Sequence, residues 1–455
     1  MTTLYLPDAV YVRGALEFGV GLAVSDEGYV LAEPGPAARL VPLPGRVLLP
    51  GLVNAHSHAF QRVLRGRTEY LAVGHQRDDF WTWREAMYAA AAALGPEDVY
   101  LVSRQAFLEM ALAGITTVGE FHYLHHGPDG APYADRHELA LQVIRAANDV
   151  GLRLVLLRSA YARSGFGLVA DPRQRRFIDV DVERALEQTS ELRSRAKGLC
   201  TVGLAPHSVR AVPRRWLEVI ADRWTGGPLH FHVAEQPAEV RACIEEHGLS
   251  PVALLDEVGL LKPGTTLVHA IHVEPTDIER LGRARVSACA CPSTERNLGD
   301  GVVPADALAR AGASLCLGSD SQAQIDLLDE ARQLEGHLRL LRLRRNVLAP
   351  EASEPSALGQ RLLEVATSGG ARSLGVPVGS IEPGRPADFF TVDRNHPSLL
   401  GLPDAALIAG VVFGGTPGAI REVVVQGTLI IQGGRHVSEW DTSSFSDVMA
   451  RIARG

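Results

Sequence analysis

The sequence predicts an α/β protein built around a closed (β/α)8 TIM-like barrel, and three observations point there. Eight short apolar runs of strand length recur at 52–58, 116–123, 152–161, 201–207, 229–235, 265–272, 286–292 and 314–319. Amphipathic segments of helical period separate them, the clearest at 97–113, 137–150, 182–197, 213–224 and 276–281. Strands alternating with helices form parallel βαβ units, and eight such units close into a barrel. The third observation is that side chains able to bind a metal gather at the C-terminal ends of these runs, where barrels of this kind place their active sites.

Taken in chain order, residues 1–49 alternate short apolar runs (9–12, 20–24) with Gly, Pro and Asp turns, and read as hairpin strands. Residues 50–375 hold the eight units, with two further helical stretches at 327–348 and 355–374 after the last strand. The long first connection carries Phe80, Trp81 and Trp83, a candidate lid or substrate wall. Residues 376–455 return to strand patterns at 387–392 and 422–427, and end in a terminal helix or tail from 441. Neither terminal piece has strands enough for a stable sheet alone. The expected organisation is therefore a barrel flanked by one small discontinuous β-sandwich domain contributed by both ends of the chain.

Composition narrows the function. With 455 residues, 46% hydrophobic and 22% charged, the chain is an ordinary globular one with a large core. The net charge of −8 and the absence of a long basic run exclude nucleic acid as the expected partner. No basic-then-apolar leader opens the sequence, and no apolar run is long enough to span a bilayer. Five cysteines, an odd number mostly inside apolar runs, fit reduced thiols, so a cytoplasmic location is expected.

The chemistry starts at Leu49-Pro50-Gly51-Leu52-Val53-Asn54-Ala55-His56-Ser57-His58. Residues two apart on a strand share a face, so His56 and His58 aim together, as two ligands of a zinc-like ion would. His232 closes the fifth run, His269 lies in the sixth, and Asp320 ends the eighth. One such residue is unremarkable, but four strand ends carrying them predict a metal site. His230 lies deeper on the same face as His232 and reads as a core histidine. His122, His125 and His126 read as solvated loop histidines, and Cys289 and Cys291 as small buried hydrophobes.

Those residues resemble the amidohydrolase superfamily, in its mononuclear aminohydrolase branch: Pro50-Gly51-Leu52-Val53-Asn54-Ala55-His56-Ser57-His58, then His232-Val233-Ala234-Glu235, His269 and Ser319-Asp320-Ser321. The resemblance implies one divalent metal ion per chain, of which zinc is the expected one, on His56, His58, His232 and Asp320. It gives acid–base work to Glu235 and His269, with Asp320 also in the catalytic set. No lysine ends the fourth run, so a carbamylated bridge between two metals has no candidate. Further stretches, Ala205-Pro206-His207-Ser208-Val209-Arg210 and Thr294-Glu295-Arg296-Asn297-Leu298-Gly299-Asp300-Gly301, resemble the branch's formiminoglutamate iminohydrolases. That implies hydrolysis of N-formimino-L-glutamate to N-formyl-L-glutamate and ammonia in histidine degradation. It also implies a pocket lined by Gln61, Arg84, Tyr123, His207 and Arg210, and a homodimer.

The expected chemistry is coherent on physical grounds. A substrate with two carboxylates calls for cationic forks, which arginine provides. The alternatives are another deaminase of this type, acting on a purine, pyrimidine or triazine, and a metal-binding scaffold without turnover. Glu235 and His269 speak against the scaffold, since binding alone needs neither.

Overall fold

The computed structural model describes residues 2–35, 38–71, 78–351 and 354–452. The chain opens with β1 (Thr2–Val12), β2 (Ala15–Phe18), β3 (Leu22–Val24) and β4 (Ala38–Pro50). The barrel strands follow: β5 (Leu52–Ser57), β6 (Ile115–His122), β7 (Arg153–Ala160), β8 (Cys200–Pro206), β9 (Leu229–Val233), β10 (Thr265–His269), β11 (Ser287–Ala290) and β12 (Ser314–Leu317). They pair in parallel in strict chain order from β5 to β12. The ring closes where Ser57 bridges Asp320, with the His58 N–H donating to the Asp320 carbonyl at 2.9 Å and the Asp320 N–H to the His56 carbonyl at 3.0 Å. Most of these strands are buried along their whole length, which is why their sequences read as unbroken apolar runs. Closure depends on Gly318: a Cβ there would lie 2.7 Å from the His56 Cβ and 2.8 Å from the His56 carbonyl oxygen.

Helices α1 (Phe80–Ala93), α2 (Pro96–Leu112), α3 (Glu138–Val150), α4 (Val182–Arg195), α5 (Arg214–Arg223), α6 (Pro237–His247), α7 (Pro251–Glu257), α8 (Pro275–Ala284), α9 (Pro292–Leu298) and α10 (Ala305–Ala311) connect the strands. The sequence pattern showed α2, α3, α4, α5 and α8, but not the shorter α7, α9 and α10, whose seven residues barely complete two turns. Helix α1 occupies the Trp-rich first connection. Its start is set by a capping box, in which the Asp79 side chain accepts from the Trp81 and Thr82 N–H groups and the Thr82 hydroxyl answers the Asp79 N–H.

After α11 (Leu327–Arg342), the second expected helical stretch divides into α12 (Ala357–Glu364), a single π-turn at Val365–Gly369, and α13 (Gly370–Leu374). The turn packs against β12 and β5 so closely that a Cβ on Gly369 would lie 2.3 Å from the Leu315 carbonyl oxygen. Strands β13 (Phe389–Asp393), β14 (Ile420–Val425), β15 (Thr428–Gln432) and β16 (Arg435–His436) then join β1–β4 in one sheet, in the order β16-β15-β14-β13-β4-β1-β2, with β3 on β1. The join between the two chain ends is the antiparallel pairing of β13 with β4, Phe389 opposite Pro50 through Asp393 opposite Arg46. The sheet keeps a core of its own, including Tyr5, Val24, Leu48, Phe389 and Val424. Following α14 (Leu407–Gly414), which precedes β14, the chain ends in α15 (Ser443–Ile452), packed on α2. Among the described residues, no helix is long and apolar enough to cross a membrane.

Candidate metal centre and active site

Four side chains converge at the C-terminal mouth of the barrel. The Nε2 atoms of His56 and His58 lie 3.2 and 3.3 Å from the His232 Nε2, and 3.3 and 3.4 Å from the Asp320 Oδ1. Ligand atoms held tetrahedrally around zinc at their usual bond lengths stand roughly 3.3 Å apart, so the cluster already has the size of a metal's coordination shell.

The second nitrogens determine the tautomers. The Nδ1–H of His58 donates to the Phe121 carbonyl at 2.9 Å, and that of His232 to the His207 carbonyl at 3.0 Å. Each ring therefore turns an unprotonated Nε2 towards the centre. Two such lone pairs about 3.3 Å apart repel unless a cation lies between them. Burial holds His58 down at about 3 and His232 well below its ordinary range, so both stay neutral at neutral pH. For Asp320, burial works against ionisation, but the surrounding His56, His269 and His58 outweigh it and keep the carboxyl ionised. Three neutral imidazoles and one carboxylate fit a divalent cation.

His269 stands beside this cluster. Its Nε2 is 3.5 Å from the Glu235 Oε1 and 3.7 Å from the Asp320 Oδ2, and its Nδ1 is 3.2 Å from the Glu295 Oε1. Burial would lower its pKa, but Glu235, Glu295 and Asp320 prevail and push it up to about 10. Burial likewise raises the Glu235 carboxyl, against the pull of His269. The backbone is unusual at these positions: Ala234, His269, Ala270 and Asp320 all have positive φ (51°, 72°, 50° and 46°), which costs energy and is tolerated where the surroundings hold it.

A hydrogen-bonded chain locks the ligand-bearing strands together. The Asn54 amide donates to the Ser319 Oγ (2.7 Å) and accepts from the Ser319 N–H (3.0 Å). The Ser319 hydroxyl donates to the Gln322 Oε1, the Gln322 amide to the Ser57 Oγ, and the Ser57 hydroxyl to the Glu120 Oε2 (2.9, 2.8 and 2.6 Å). Glu120 also accepts the Ala59 N–H at 2.7 Å.

The cluster opens into a narrow pocket at the barrel mouth. All five expected pocket residues, Gln61, Arg84, Tyr123, His207 and Arg210, line it together with Glu235, His269 and Asp320. Helix α1 supplies one wall, with Phe80, Trp83, Arg84 and Met87 on the same face. Trp81 instead stacks beneath the Arg84 guanidinium, 4.5 Å from ring centroid to Cζ. Arg210 lies across Phe80 and Trp81, at 6.0 and 5.8 Å. Among the described residues, both arginines carry buried N–H groups without a partner: Nε of Arg84, and Nε and Nη1 of Arg210. Gln61 donates to the Tyr123 hydroxyl at 2.7 Å and leaves its own Oε1 free.

Three of the sequence expectations need correction. His122 and His125 are buried, at 4% and 7% exposure, and His126 is half-buried. His122 ends β6 itself, while the Nε2–H groups of His125 and His126 donate to the Ser159 and Ile178 carbonyls, so packing takes up all three without making them ligands. His230 is a bonded core residue as expected, donating to the Ser373 carbonyl at 3.1 Å. Glu295, Glu239, Tyr161 and Phe177 were not singled out from the sequence. Glu295 alone carried a signal, four residues beyond the Cys291 that follows β11. The others reach the site from loops and a helix face.

A closed barrel with three histidines and an aspartate gathered at its C-terminal mouth is that of a metal-dependent hydrolase. The chain belongs to the amidohydrolase family, whose sequence profile matches residues 47–430. It is 40% identical over 429 residues to a formimidoylglutamate deiminase of Pseudomonas aeruginosa, covering 92% of each chain. It is 30% identical to a 5-methylthioadenosine/S-adenosylhomocysteine deaminase of Natronomonas pharaonis, over 90% of this chain and 88% of that one. Among solved structures, an amidohydrolase from Brucella melitensis superposes with a TM-score of 0.89 at 34% identity, over 99% of this chain and all of the other.

Proposed function

We propose that the protein hydrolyses N-formimino-L-glutamate to N-formyl-L-glutamate and ammonia, as a step of histidine degradation in the cytoplasm. The observation that carries this reading is the pair Arg84, half-buried, and Arg210, buried, whose buried N–H groups meet no partner among the described residues and line the pocket beside the His/Asp cluster. Buried guanidinium donors left open cost stability unless an anion completes them. Two forks suit a substrate with two carboxylates.

His56, His58, His232 and Asp320 would hold the ion, zinc being the choice that suits three imidazoles and a carboxylate. A divalent cation bound there supplies Lewis acidity and lowers the pKa of an activated water to roughly 7. Asp320 accepts the proton that the attacking water gives up, and His269, held protonated between Glu235 and Asp320, positions that water and relays protons between the two carboxylates. Glu235, whose carboxyl burial biases towards the protonated form, delivers a proton to the amidine nitrogen, so that HN=CH–NH–R and water become O=CH–NH–R and ammonia. Gln61, through its free Oε1, and Tyr123 and His207 line the pocket and orient the substrate.

The test is ammonia release by the purified protein from N-formimino-L-glutamate, with metal content measured on the same sample. A panel of purines, pyrimidines and triazines covers the competing reading, which the aromatic lining and the Natronomonas relative favour. Turnover of a ring substrate, without turnover of the formimino compound, would replace the proposal. A homodimer is proposed alongside, to be checked by light scattering.

A further inference from the structure

The sequence stretch Thr294-Glu295-Arg296-Asn297 has no role in the mechanism above, yet it places a carboxylate directly behind His269. Glu295 is 2% exposed. Its Oε1 accepts the Cys291 N–H at 2.8 Å and faces the His269 Nδ1 at 3.2 Å. We propose that Glu295 is a positioning residue for His269: it takes the Nδ1–H and fixes the ring so that Nε2 faces Glu235, Asp320 and the substrate. This inference rests on the proposed reaction for its kinetic readout only.

As a carboxylate oxygen, Oε1 accepts two N–H groups, that of Cys291 and that of the His269 Nδ1. The opposite ring nitrogen is then left to exchange a proton with groups 3.5 and 3.7 Å away. The need for such a support is visible in the backbone. His269 is paired with Val233 as the last residue of β10, but it sits at φ 72° and Ala270 at φ 50°, so its side chain leaves the strand in a direction that ordinary strand geometry does not set. With carboxylates on both sides, an unsupported ring could turn over and place the wrong nitrogen towards Asp320. An imidazole oriented by a buried carboxylate is a recurrent device in acid–base catalysis. The same three residues, His269, Cys291 and Glu295, are also close enough to hold an ion. However, the Cys291 thiol is pushed well up by burial and stays protonated, and Glu295 already has two partners.

The experiment combines kinetics, metal analysis and proton NMR on the metal-loaded protein. Wild type should show a downfield imidazole N–H resonance that disappears in His269→Asn and moves or broadens in Glu295→Gln. Glu295→Gln should lower kcat at least about 30-fold, somewhat less than loss of a proton-transfer group itself, with KM changed less than about twofold and metal content unaltered. In a His269→Asn background the same substitution should cost less than about threefold, because the residue it supports is gone. Glu295→Asp should recover part of kcat, and serves if the glutamine variant folds poorly. Equal losses in both backgrounds, unchanged kcat in Glu295→Gln, or no His269 N–H resonance in wild type would overturn the proposal. So would a second metal equivalent lost with Glu295. Absence of wild-type turnover on N-formimino-L-glutamate would instead overturn the substrate reading, leaving the resonance to decide the role of Glu295.

Discussion

Replacing Arg210 by methionine separates binding from stability. In the folded protein Arg210 is 8% exposed, lies across Phe80 and Trp81, and has Nε and Nη1 without hydrogen-bond partners. Its side chain packs on α1, but its Nε and Nη1 make no hydrogen bond to any described residue. Methionine preserves most of the apolar contact but gives up the charge that faces Glu239 and Glu235, so thermal stability should change little. Catalysis should fall. A substrate carboxylate that enters this half-dry pocket loses its hydration and, in the variant, its fork. Truncating one partner of such a pair costs roughly 2–5 kcal/mol, a loss in kcat/KM of about 30- to 5,000-fold. Lysine at 210 should recover only part, since it keeps the charge but loses the planar pair of donors. The assay is ammonia release with N-formimino-L-glutamate and with a formimino compound lacking one carboxylate, on wild type and variant. If Arg210 reads that carboxylate, the truncated compound is a poor substrate for wild type and loses little more with methionine. Equal proportional losses on both compounds, or a marked drop in melting temperature, would show that the side chain supports the fold and does not read the ligand.

Other outcomes follow from the same geometry. Exhaustive chelation should abolish turnover, and Asp320→Ala or His232→Ala should lose both bound metal, about one ion per chain in wild type, and most activity; turnover in protein verified as metal-free would refute the ligand assignment. Glu235→Gln should retain the metal but lower kcat at least about a hundredfold, so normal kcat with a full metal complement would move proton delivery to another group. Burial lifts the Glu239 carboxyl from its ordinary 4.5 to about 7, against the pull of Arg210. Between those values the folded protein holds a proton that the unfolded chain has released, so this group's contribution falls as pH rises through the window, by on the order of 3 kcal/mol. Glu239→Gln should therefore gain stability relative to wild type between about pH 4.5 and pH 8 in chemical denaturation, and a pH-independent difference would contradict the assignment.

Much of this molecule could be read locally. The eight barrel strands lie within a few residues of their apolar runs, because a strand buried on both faces needs continuous apolar sequence. His56, His58, His232 and Asp320 were legible for a related reason: polar residues that end such runs must lie at the mouth of the barrel, where little but chemistry explains them. Residues whose meaning depends on a distant partner were not legible. Glu295 acts on His269 across 26 positions, the Asn54–Ser319 pair spans 265, and the Trp81 ring finds both arginines only once α1 folds over the mouth. The buried histidines after β6 misled for the same reason, since polar composition resembles solvated loop until the carbonyls of Ser159 and Ile178 arrive from other elements. Sequence periodicity records which face of an element is buried. It does not record which polar groups meet there, because those contacts are made between chain segments tens to hundreds of residues apart, and barrel closure at Gly318 is what brings the first and last strands into register.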